Sequence, residues 1–294
     1  MYTRTFRAMN TAWWIGTPVA LDLAPFEVHV HEAEQRYSRF LPDSVLSRLN
    51  RERTLHDPAL ADLVRHALAM HEATGGAFDV RVGAALNAAG YDRTFERIAD
   101  LDVQSGASVL TFTPPLTALH IEVHGDEVRL DGPGTLDLGG IAKGWTVDRV
   151  AEALEQAGYH DYLVDGGGDI RAAGRDDRGE TWSVGVGEGL AVRLLDAAVC
   201  TSSTRRRRWR AAGEVGGDAH HIIDPATGAP SRHAIAEAVV VARDATLADV
   251  LATTLIASPD RGLASLAAHG AEGEALVLRD GQWEMTPGMQ SWLA

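Results

Sequence analysis

Strand-like and helix-like apolar spacings follow one another along these 294 residues without a regular βαβ rhythm, and no Pro/Gly/Ser-rich linker separates two halves. That pattern excludes a doubly wound parallel sheet and points to an α+β fold, one compact mixed unit of sheet and packed helices over residues 1–294. Trp13–Leu23 alternates loosely and reads as one or two strands with a turn at Gly16-Thr17-Pro18. Pro25–Phe40 reads as helix, because Phe26, Val30, Ala33, Tyr37 and Phe40 share a face and Glu32, Ala33, Glu34 and Gln35 are good helix formers. Pro58–Thr74 is the clearest helix, capped by Asp57 and ended by Gly75, and its His66 and His71 read as solvated. Leu119, Ile121 and Val123 lead through Gly125-Asp126 into Val128 and Leu130, a hairpin. A helix over Gly144–Ala157 follows. Short strands are expected at Tyr162–Val164, Ser183–Val186, Leu194–Thr201, Ala238–Ala242 and Ala275–Arg279, and helices at Ala245–Ala257 and Arg261–His269.

A chain of this length buries a core without disulfide or metal staples. Its one cysteine, Cys200, has no internal partner and fits a reducing compartment. The formal net charge of −14 argues against bulk binding to nucleic acid, which requires basic side chains to neutralise phosphates. It leaves room for a local basic pocket. No apolar run is long enough for a membrane helix, and Met1–Leu23 lacks the apolar stretch of an export signal, so a cytoplasmic protein without membrane insertion is expected.

Four segments carry candidate chemistry. Asp137-Leu138-Gly139-Gly140-Ile141-Ala142-Lys143-Gly144 runs from a strand into a helix, with Asp148 further on. Its glycines permit close backbone approach, the helix start favours an anion, and Lys143 adds a positive charge. The spacing is neither a Walker loop nor a dinucleotide fingerprint. The alternative is a tight turn with a surface lysine. Asp249 and Thr253, at i and i+4, share one helical face roughly 40° apart and offer the oxygen donors that Mg²⁺ takes. The alternative is an exposed aspartate and a threonine bonded to its own helix.

His220-His221 precedes Ile222-Ile223-Asp224-Pro225 and the Thr227-Gly228 turn. This places His221 at a strand end, where it is either a general base or an ordinary strand-edge histidine. Thr74-Gly75-Gly76-Ala77-Phe78-Asp79 turns sharply after a helix, with Phe78 lining an aromatic pocket or stapling the turn into the core. Asp165-Gly166-Gly167-Gly168-Asp169 reads as a tight turn close to a site. Arg205-Arg206-Arg207-Arg208-Trp209-Arg210 reads as a solvated face or pocket rim rather than a nucleic-acid surface.

In this order the segments resemble the ApbE family, the FAD:protein FMN transferases. The match also takes in Ile15-Gly16-Thr17, Ser38–Ser44, Leu46–Asn50, Gly166–Ile170, His221–Pro230 and Ala248–Thr253, nearly the whole chain. The resemblance implies an ApbE-like unit with a core related to the T-fold. It implies Mg²⁺-dependent cleavage of FAD, transfer of FMN by a phosphoester to a threonine of an acceptor flavoprotein, and release of AMP. It further implies Asp249, Thr253 and the Gly140 carbonyl as metal ligands, His221 as the catalytic base, and Ile15, Phe40, Ala77, Phe78, Asp79, Asp137, Lys143 and Ile223 as FAD contacts.

The chain departs from the family pattern at Ile15, at Arg81 and across Cys200–Arg205, positions that bear on packing, acceptor docking and the balance of transfer against hydrolysis. Two other readings therefore stand beside transfer: an FAD pyrophosphatase yielding FMN and AMP, and a non-enzymatic flavin-binding protein.

Overall fold

The computed structural model describes residues 1–99, 113–187, 189–210, 218–270 and 273–294. Its frame is an eight-stranded sheet in the order Tyr2–Ala8, Thr11–Thr17, Tyr162–Asp165, Asp169–Ala173, Ala197–Ser203, Ile235–Ala242, Gly273–Arg279 and Gln282–Met285. Every neighbouring pair is antiparallel. Antiparallel strands need no crossover helix, which explains the missing βαβ rhythm. The two central strands, Ala197–Ser203 and Ile235–Ala242, are almost wholly buried, and covered faces replace alternation with apolar runs such as Val239-Val240-Val241.

One face packs under the helices Ala24–Tyr37, Ala142–Gln156 and Ala245–Ala257 through Val30, Val147, Leu154, Leu251 and Leu255. The other is covered by the hairpin Trp182–Gly187 with Leu190–Leu194 and by Met289 near the C-terminus. A third cluster joins the helices Val45–Glu52 and Pro58–Ala73 to the small sheet formed by Thr54–His56, His120–His124 and Glu127–Asp131. The two helices are capped by the side chains of Ser44 and Asp57, which accept from the backbone N–H groups of Ser47 and Leu60.

Most expected elements stand where the periodicity puts them, and two differ. The first strand, Tyr2–Ala8, is a largely exposed edge with little apolar alternation, and Thr11–Thr17 pairs with it through a turn at Met9 and Asn10 rather than turning at Gly16. Leu194–Thr201 is two strands, split where Asp196 takes a positive φ of 52°. Among the described residues no helix is long and apolar enough to cross a membrane.

The Ala245–Ala257 helix shows best how the fold prepares a site. Asp244 caps it by accepting from the N–H of Leu247. Every residue in it is buried except Thr253. A helix so largely apolar on all sides belongs in a core, so Asp249 and Thr253, polar groups midway along it, are held by packing more than by solvent.

Candidate active site

A cavity of about 620 Å³ opens between this helix, the glycine turn after Asp137, the helix end at Gly75–Asp79 and the segment around His221. Its volume falls in the range of small-molecule sites. Phe40, Ala77, Phe78, Asp79, Asp137, Gly140, Lys143, His221, Ile223, Asp249 and Thr253 all line it. Ile15 does not. It is fully buried in the sheet core, opposite Val164 and Arg4 in register, so its position matters to packing and it does not border the cavity.

Two helices set the Asp249 wall. Gly144, in the first turn of Ala142–Gln156, donates its N–H to Asp249 Oδ2 at 3.3 Å. It has to be glycine, because a Cβ there would lie 2.4 Å from the Ala245 carbonyl oxygen. One turn on, Asp148 accepts the backbone N–H groups of Ala245 and Thr246 at 3.0 and 2.8 Å, together with the Thr246 hydroxyl, and pairs with Arg171 at 2.9 Å. This carboxylate thus satisfies orphan donors at the start of the next helix and fixes its distance from the glycine turn.

Asp249 is buried, and burial pushes its carboxyl above the ordinary aspartate range even with Lys143 nearby. Gly144 supplies its one hydrogen bond among the described residues. Thr253 Oγ1 stands 3.2 Å from Ser202 Oγ, and the Cα of Gly140 faces it closely enough that a Cβ would lie 3.5 Å from that hydroxyl. Among the described residues no three His, Cys, Asp or Glu side chains gather as a metal cluster. The donors here are one carboxylate, one hydroxyl and the backbone of a glycine turn. These hard oxygen ligands suit a cation that keeps water or phosphate oxygens in its remaining positions.

The other candidate side chains are held by partners distant in sequence. Asp137 accepts the Gly139 N–H at 2.8 Å and pairs with Arg39 Nε at 2.5 Å. Lys143 pairs with Asp169, the last residue of the triple-glycine turn, in which Asp165 Oδ1 takes the N–H groups of Gly167 and Gly168. Gly167 adopts a φ of +80°, and a Cβ there would collide with Thr11. Asp79 caps the short turn Val80–Val82 and pairs with Arg81 at 2.6 Å, while the Phe78 carbonyl faces His71 Nδ1 at 2.8 Å. His71, which reads in the sequence as solvated, therefore orients the Phe78 turn.

The two adjacent histidines differ. His220 Nε2 is 2.7 Å from the Ser231 carbonyl and its Nδ1 accepts the Ile222 N–H, so both nitrogens are engaged by backbone. His221 turns toward the cavity, and its Nδ1, shielded from water, has no hydrogen-bond partner among the described residues. Burial, helped by the charges of Arg207 and Lys143, pushes this imidazole well below the usual histidine range, so it is neutral at neutral pH. Beside it stands an aromatic group. Tyr91 lies 6.1 Å from the His221 ring, stacks on Trp209 at 5.3 Å and meets Phe40 edge-on at 5.4 Å. Tyr91 carries no sequence signal, and the contacts of Arg39, Asp148 and Asp169, which lie within motif stretches, depend on partners far along the chain.

The chain matches the model of the ApbE family over residues 9–277. It is 30% identical over 250 residues to the FAD:protein FMN transferase of Vibrio cholerae serotype O1, an alignment spanning 80% of this chain and 73% of that one. The solved structure of the flavin transferase ApbE from Vibrio cholerae superposes with a TM-score of 0.77 at 25% identity, covering 99% of this chain and 98% of the other. The ApbE protein of Thermotoga maritima shares the fold at a TM-score of 0.80 and 23% identity, with coverage of 99% and 98%. With a family match over most of its length and this shared architecture, the chain belongs to the ApbE family.

Proposed function

We propose that residues 1–294 form one Mg²⁺-dependent FAD:protein FMN transferase unit that moves FMN from FAD to a threonine hydroxyl of an acceptor flavoprotein and releases AMP. The observation that carries the reading is the convergence of Asp249, Thr253, Gly140, Lys143 and His221, whose buried Nδ1 has no partner among the described residues, on one cavity. The aromatic and apolar wall of Phe40, Phe78 and Ile223 suits a flavin ring, and the glycine turn with Lys143 suits the diphosphate. Asp249, Thr253 and the Gly140 carbonyl would hold Mg²⁺, which when bound offsets charge on the diphosphate.

A threonine hydroxyl is a weak nucleophile, and a neutral histidine in a dry site is suited to take its proton. In the proposed step the hydroxyl oxygen bonds to the flavin-side phosphorus, the bond from that phosphorus to the bridging oxygen breaks, His221 takes the hydroxyl proton, and AMP departs with the bridging oxygen. The fully buried lone Cys200 supports work in a reducing compartment, and we assign the cytoplasm.

The test is incubation with FAD, Mg²⁺ and candidate acceptor domains, reading AMP by chromatography and a covalent FMN adduct by mass spectrometry. Both products are expected. AMP and free FMN with no adduct across acceptors would identify a pyrophosphatase, and bound FAD with no AMP a flavin-binding protein.

A further inference from the structure

The arginine run Arg205–Arg208 is absorbed by none of the roles above, yet half of it faces the cavity. Arg205 and Arg208 have partners of their own. Arg206 and Arg207 line the cavity, and among the described residues neither has a carboxylate within ion-pair distance. Three of the other cavity cations are committed, Arg39 to Asp137, Lys143 to Asp169 and Arg93 to Asp92, whereas Arg97 shares the lining without such an ion pair among the described residues and does not adjoin His221 in sequence or strand.

The segment is pinned at both ends. Thr204 donates its N–H to the Ala236 carbonyl at 2.9 Å, and the Trp209 indole donates to the Ala89 carbonyl at 2.8 Å. Between these anchors the strand Arg208–Arg210 runs antiparallel to Asp218–His220, with Arg208 opposite His220. Just beyond that pair the two chains leave the ladder with Arg207 and His221 still neighbours, the Arg207 backbone bonded to the His221 imidazole and its charge acting on that ring. Both line the cavity, and Arg207 is half-buried against Tyr91.

We infer that Arg207 is a phosphate-binding residue that grips the flavin-side phosphate, the one to be transferred, through its guanidinium fork. The inference rests on the proposed FMN-transfer reading. A base that removes the acceptor's proton must stand within hydrogen-bond reach of the hydroxyl attacking that phosphorus. A cation beside the base on the same cavity wall then faces the non-bridging oxygens of the same phosphate rather than those of the departing nucleotide. Arginine suits this place, because its planar fork meets two phosphate oxygens at once and its charge is not yet spent on a protein carboxylate.

Titration of the full chain with riboflavin, FMN, AMP and FAD, read by flavin fluorescence or calorimetry, separates the possibilities. Arg207→Gln is expected to weaken FMN and FAD by roughly ten- to hundredfold, as for a lost charge-assisted hydrogen bond, with riboflavin and AMP held within about threefold. Unchanged FMN affinity overturns the inference, as does a loss confined to AMP. If Arg207→Gln also loses riboflavin, Arg207→Lys decides: retained discrimination of FMN over riboflavin supports the inference, and equal loss of both overturns it. A wild-type chain that binds none of the flavins would instead defeat the FMN-transfer reading itself.

Discussion

On one side of the cavity, backbone N–H groups of the Ala245–Ala257 helix end on the carboxylate of Asp148, and Asp249 is tied to the backbone of Gly144. On the other, Phe40, Tyr91, Trp209 and the arginine run meet by ring stacking and half-exposed side chains. The first wall is a core that happens to carry two polar groups. Moving either helix there would strand buried donors at a cost of about 1–3 kcal/mol each. The second wall is a surface folded inward, where an aromatic contact is worth about 0.5–1.5 kcal/mol and the chain can vary. The family resemblance follows that division. The Asp137–Asp148 and Ala248–Thr253 blocks keep the pattern, and Cys200–Arg205, which leads into the second wall, departs from it.

The largest effect should come from the first wall. Asp249→Ala is expected to lower AMP release by more than ~100-fold and to abolish its response to Mg²⁺, on the scale of a lost metal contact. Because burial already disfavours the charged carboxylate, the melting temperature should hold or rise. A fall in melting temperature that parallels the lost activity would show that Asp249 serves the core and not the chemistry.

His221→Ala follows, with transfer slowed by ~10²–10⁴ while FAD affinity stays near wild type. Wild-type turnover in this variant would remove the base from the account. The pH profile gives the same residue a second test. A base works when unprotonated, and the His221 imidazole is held well below the usual histidine range. The acid limb of kcat/KM should therefore fall below pH ~6.5, with rate lost as pH drops through that lowered value. A limb above it would point to another group.

The smallest effect belongs to the second wall. Trp209→Leu removes the Tyr91 stack and the indole bond to Ala89, and should cost about 1 kcal/mol in flavin affinity, with kcat within a few-fold of wild type. A collapse of kcat would mean that the arginine strand is as rigid as the helices opposite, and the contrast between the walls would go.

Legibility in the sequence divides along the same line. The helix Ala245–Ala257 was readable from its apolar run and its Asp249/Thr253 spacing, and the glycine turn from Gly139-Gly140 running into Lys143-Gly144, because both signals are local. His221 was readable as a strand-end residue, although its difference from His220 depends on the Ser231 carbonyl, which only the fold brings near. The pairs Arg39–Asp137 and Lys143–Asp169 span long stretches of chain and leave no periodic trace. Ile15 shows the converse. The family pattern assigns it to the ligand, but its strand sits inside the sheet and its side chain is consumed by packing. The edge strand Tyr2–Ala8 was unreadable because exposure on both faces removes the alternation that periodicity detects.

The bond from Asp148 to the opening turn of the neighbouring helix has an evolutionary corollary. Since one side chain sets the spacing of the helices Ala142–Gln156 and Ala245–Ala257, that spacing does not depend on the loops that join or surround them. Substitutions in the surrounding loops can therefore accumulate without moving Asp249 relative to the glycine turn.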